Sequence, residues 1–93
     1  MEYPNVIEVT IDKNSIDNGE CGNPMLCPVA LALYNSLGMN GLVGIQTVYF
    51  NDFDAMQTHE YETDIDTQDK IAAFDRGEII TPFICTLKKV RII

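Results

Sequence analysis

From Val6 to Ile11 successive side chains alternate, with Ile7, Val9 and Ile11 on one face and Val6, Glu8 and Thr10 on the other. That is the period of a half-buried strand. The polar run Lys13–Gly22 supports one helical turn at most, with Asn14 or Ser15 as its cap, Ile16 as its anchor and Gly19 as its terminator. Cys27-Pro-Val-Ala-Leu-Ala-Leu-Tyr-Asn-Ser-Leu-Gly38 predicts a helix, because Pro28 suits the first helical position and Gly38 the left-handed residue beyond the last turn. Positions 29–33 are all apolar, so this helix has no polar face over its first turns. It must be covered on more than one side, either by the sheet and a loop or by a second subunit.

Residues 42–50 alternate again, placing Val43, Ile45, Thr47 and Tyr49 opposite Leu42, Gly44, Gln46, Val48 and Phe50, and predict one strand. Asn51-Asp-Phe-Asp54 is turn chemistry. The weaker alternation His59–Thr63 predicts an exposed strand, polar on one side. Asp66 or Thr67 then caps a second helix, with Asp69 in its first turn, Ile71, Ala72 and Phe74 as its inward stripe and Gly77 as its end. A last strand follows Pro82, with Phe83, Cys85 and Leu87 on one face; a proline there sits at the strand start or on an edge. The order strand, helix, strand, strand, helix, strand predicts an α+β two-layer sandwich, with a ferredoxin-like split βαβ fold as the leading topology and another small two-layer α+β sheet as the alternative.

Composition narrows the picture. A chain of 93 residues, 46% hydrophobic and 22% charged, has room for one domain, spanning 1–93, and shows no internal repeat or low-complexity linker. A domain of that size buries only about 60% of its unfolded surface, which leaves homodimer formation through the apolar first helix or the final strand as an option. Fourteen acids against six bases give a net charge of −8, and no basic stripe carries interleaved aromatics. Direct nucleic-acid binding is therefore not expected. The same field attracts a basic surface, such as the nucleic-acid channel of another protein, and otherwise serves solubility. The uncharged stretch Cys21–Phe50 is broken by glycine, proline and asparagine, so no membrane span is expected. The opening Met-Glu-Tyr-Pro lacks the features of a secretory signal, and three cysteines make an odd set, so reduced thiols and a cytoplasmic location are expected.

Several chemistries find little support. Cys21, Cys27, Cys85 and His59 are too loosely spaced for a structural zinc site. Cys27, just before Pro28, would occupy a helix N-cap where amide donors favour a thiolate. The only base for it is His59, on the weakest strand, so the plainer expectation is a packed Cys27, an exposed His59 and no enzyme. The glycines form neither a phosphate loop nor a dinucleotide fingerprint, and no cofactor is expected. Asp52, Asp54, Glu60, Glu62, Asp64, Asp66 and Asp69 fall in one window without lysine or arginine. That window reads as solvated surface, as a protein-binding face, or as a metal or acid–base site. Lys88-Lys-Val-Arg91 on the final strand reads as edge protection.

Ile16-Asp-Asn-Gly19 leading into Cys27-Pro-Val-Ala-Leu-Ala-Leu33, with Phe74-Asp-Arg-Gly77 and Pro82-Phe83 further on, resembles small phage- and prophage-encoded proteins. The resemblance implies an inhibitor of a host system, of the anti-defence or anti-CRISPR type, working in the host cytoplasm. The expected docking face combines Asp52, Asp54, Glu60, Glu62, Asp64 and Asp66 with Phe53, Tyr61 and Tyr49 as aromatic anchors, and its partner is a basic host effector. Two alternatives stand beside it. One is a binder of small molecules, such as a sponge for a signalling nucleotide held by the 21–30 loop and the first long helix's N-terminus. The other is a self-associating structural module.

Overall fold

The computed structural model describes residues 3–93. Its elements are β1 (Val6–Ile11), α1 (Lys13–Asn18), α2 (Pro28–Leu37), β2 (Gly41–Val43), β3 (Thr47–Asp52), β4 (Gln57–Thr63), α3 (Ile65–Asp75) and β5 (Phe83–Ile92). The strands form a five-stranded sheet in the order β1-β5-β4-β3-β2, every neighbouring pair antiparallel. The fold is α+β. A split βαβ unit contains a pair of parallel strands. Here β5 enters between β1 and β4 instead, and no parallel pair exists among the described residues.

The sheet curls. Its edge strands β1 and β2 both contact α2, so the helix lies in the concave face with sheet on two sides. That is why α2 tolerates an apolar run with no polar face: Val29, Ala30, Ala32 and Leu33 are all buried against the chain's own strands. Between the two covers first considered, sheet or second subunit, the sheet supplies it. One core joins Ile7, Val9 and Ile11 of β1, Cys85 and Leu87 of β5, Tyr61 of β4, Val48 and Phe50 of β3, and Leu33 of α2. Ile71 brings α3 into the same layer.

Local grammar explains the helix ends. Gly38 takes φ +67°, a left-handed stop that returns its N–H to the carbonyls of Leu33 and Tyr34. The cap of α1 is Asp12, two or three residues earlier than Asn14 or Ser15, and its carboxylate accepts the Ser15 N–H at 2.8 Å. Gly19 does end α1, but at φ −71°. Its smallness is needed because a Cβ there would lie 2.7 Å from the Pro28 ring. The cap of α3 is Asp64 rather than Asp66 or Thr67, and Thr67 is fully buried one turn in.

Three expectations about strands change. The stretch 42–50 is two strands, because the chain turns at Gly44–Gln46, where Gly44 N–H donates to Thr47 C=O at 2.8 Å. Ile45 at that turn is exposed, whereas Val43, Val48 and Phe50 face the core. β4 is neither weak nor exposed: it lies in the middle of the sheet, paired with β3 and β5, and buries His59, Tyr61 and Thr63. β5 is interior as well, so its basic residues protect no edge; Lys88 stands opposite Glu62, and Arg91 opposite Glu60. A bulge between Glu60 and Tyr61 shifts the register there.

Candidate interaction surface

The acidic window does not fold into one face. Glu60 is nearly buried, with Oε2 3.3 Å from Arg91 Nε. Glu62 stays exposed on the outer face of the sheet, beside Lys88 in register. Asp66 pairs with Lys70 at 3.3 Å within α3. Asp64 is used in the fold: one oxygen accepts the Thr67 hydroxyl at 2.5 Å and the Thr86 N–H at 3.0 Å, so it ties α3 to β5. Burial pushes the Asp64 carboxyl up, yet the hydrogen bonds from Thr67 and Thr86 outweigh it and hold the group below its ordinary value.

Tyr61 cannot anchor a partner, which corrects its place in the expected face. Its ring is fully buried, edge-on to Phe50 with centroids 5.4 Å apart, and its hydroxyl donates to Pro4 C=O at 2.5 Å. Burial, and then the nearby Tyr3, push its hydroxyl up to about 12. His59 is likewise core rather than exposed.

What remains free is the tip of the β3–β4 hairpin. The Asp52 carboxylate accepts the Ala55 N–H at 3.2 Å and closes the turn, which Met56 completes at φ +53°. This turn thrusts Phe53 into solvent, 83% exposed, with Asp54 exposed beside it. Phe53 also forms one end of a groove of about 710 Å³ that runs along the outer flank of α2. Tyr34 of α2, Met25 and Leu26 of the preceding loop, Leu42 of β2 and Tyr3 line the rest. Among the described residues none that lines the groove is charged. Met25 is 64% and Tyr34 57% exposed, so these large side chains stand open to solvent. Aromatic residues and methionine without charge are what the centres of protein interfaces are enriched in. The sequence singled out Phe53 but not its companions Tyr3, Met25, Leu26, Tyr34 and Leu42, which come from four separate places in the chain. The surplus of apolar residues around α2 was their one signal.

The remaining chemistry is spare. Cys27 is the N-cap of α2 and buried. Burial pushes its thiol up, against the Ala30 and Val29 amides that would stabilise a thiolate. Burial likewise raises the Cys85 thiol to about 11, and Cys21 is exposed, its Sγ 3.0 Å from Phe74 C=O. A second cavity of about 230 Å³ beside the 21–30 loop is lined in part by Asp75, whose carboxylate already accepts the Gly22 N–H. A negative charge there opposes the anion that a nucleotide sponge would hold. Among the described residues no three His, Cys, Asp or Glu side chains are grouped as metal ligands. No described helix is long and apolar enough to cross a membrane.

Comparison with family models, with curated proteins and with solved structures finds no match to this chain.

Proposed function

We propose that this protein is a non-enzymatic binding module that docks on another protein through the apolar groove between α2 and the β3–β4 hairpin. The observation that carries this reading is the row Met25, Leu26, Tyr34, Leu42 and Phe53: large apolar side chains gathered in one groove and left in solvent. Asp52 and Asp54 flank Phe53 at the tip and give the approach a negative sign, in keeping with a net charge of −8. A basic partner surface is steered by that charge and held by the aromatic contacts. The resemblance to phage-encoded proteins makes a host nucleic-acid-handling effector, blocked by occupation, the specific form of this proposal.

Self-association through the elements first considered has less support. Most of the apolar positions of α2 are covered by its own sheet, and β5 has a strand on each side. The test is affinity capture from host lysate by tagged wild-type protein, by Tyr34→Ala/Phe53→Ala and by Asp52→Asn/Asp54→Asn, each washed at low and high salt. One basic protein should be retained by the wild type, lost with the aromatic pair, and held with a weaker salt dependence by the neutralised tip. Equal capture by all three would sink the groove.

A further inference from the structure

Residues 3–5, just before β1, cross the inner face of the sheet as a strap. Three contacts hold it: Tyr61 Oη–H donates to Pro4 C=O, Lys89 Nζ donates to Tyr3 C=O, and Lys89 N–H donates to Asn5 C=O at 2.8 Å. Under it lies His59, 5% exposed, its ring stacked on Tyr3 with centroids 4.1 Å apart and planes 13° from parallel. Among the described residues neither imidazole nitrogen has a hydrogen-bond partner. A neutral imidazole carries one donor and one acceptor, so the closed strap leaves both unsatisfied, and opening it returns both to water.

We infer that the 3–5 strap is a proton-operated latch: it closes over neutral His59 and opens when His59 takes up a proton. The groups that face His59 define the window. Among the described residues they are Asp52 on β3, Lys89 on β5, Tyr61 on β4 and Tyr3 on the strap, while α2 contributes no charged residue. Of these, only an imidazole ordinarily changes charge between pH 7.5 and 5. Burial first, and the Lys89 ammonium second, disfavour the imidazolium in the closed state, and Asp52 opposes them only in part. The closed state thus binds the proton more weakly than the open one. Closure is complete above the ordinary histidine value of about 6.5 and is lost as pH falls below it. Tyr3 also lines the groove, so opening removes one of its walls; that consequence rests on the proposed function, whereas the latch does not.

Amide hydrogen exchange on the intact chain, corrected for intrinsic rates, tests it. Protection of the Lys89 amide should fall by up to about tenfold per pH unit below about 6.5, while the Leu33 amide inside α2 falls less. His59→Phe, which keeps the stack but cannot ionise, should abolish the pH dependence. Constant protection in the wild type, equal loss at Leu33, or an unchanged dependence in His59→Phe would each overturn the latch. Should that variant not fold, NMR titration of His59 in the wild type decides: a pKa below the ordinary value supports the latch, and one at or above it overturns it.

Discussion

The two long helices share a layer and differ by one residue in length, yet they are held by opposite means. α2 carries no charged side chain and buries five consecutive or near-consecutive positions, Pro28, Val29, Ala30, Ala32 and Leu33, inside a curled sheet. α3 buries only Thr67 and Ile71, and its place is fixed by Asp64, which caps the helix and takes the Thr86 N–H of β5. Burial is non-directional, so α2 needs a surrounding surface; hydrogen bonds are directional, so α3 needs one well-placed carboxylate. A small acidic chain can thus spend its apolar residues on one helix and secure the other with polar ties.

The contrast can be broken at four points. Leu33→Ala empties the centre of the wrapped helix and should cost about 3 kcal/mol in urea unfolding, near the middle of the range for buried leucines. Asp64→Ala removes a cap and strands the Thr67 hydroxyl and the Thr86 amide, with a loss of about 2 kcal/mol by the same measurement. Because the Asp64 carboxyl is held below its ordinary value, its contribution is fully present above about pH 4 and is lost as pH falls through the lowered value. Unfolding midpoints between pH 6 and 2 should therefore lose part of their acid slope in Asp64→Asn. Gly38→Ala forces a Cβ into the left-handed region and should cost about 1 kcal/mol. Lys70→Gln breaks the pair with Asp66 and the contact of the Lys70 ammonium with the Phe83 ring, 5.3 Å away, and should stay within about 1 kcal/mol. A Lys70 effect as large as that of Asp64 would show that α3 is held by surface charge instead of by its cap.

The same contrast explains what could be read from the chain. The period of β1, the Pro28 and Gly38 ends of α2 and the Gly77 end of α3 are local signals and stand where the pattern placed them, whereas α3 starts from Asp64, ahead of the Asp66 or Thr67 expected as its cap. Sheet neighbours are not local. β4 looked exposed because its inward residues are His59, Tyr61 and Thr63, polar types that become core only because β3 and β5 flank them. The alternation from 42 to 50 hid a turn, since Gly44 and Gln46 fit a strand face as readily as a hairpin. Of the acids, Asp52 and Asp54 remain at a usable tip; the tie of Asp66 to Lys70 is an i,i+4 helix pair legible in the sequence, whereas those of Glu60 to Arg91 and Asp64 to Thr86 join residues far apart in the chain, which no spacing rule could reveal. The groove needed the tertiary fold itself, because its walls meet only after the sheet has curled.

The interior position of β5 carries a consequence for how the molecule assembles. β2, β3 and β4 can pair through short hairpin loops, but β1 has no strand to join until the last strand arrives, more than seventy residues later. Closing so long a loop before any contact repays it slows folding. During synthesis on a ribosome, the Ile7, Val9 and Ile11 stripe must wait unpaired until the final strand emerges. Folding should then end in one late step, the insertion of β5 between two parts of the sheet that share no strand pairing and are bridged only through α2 and the core.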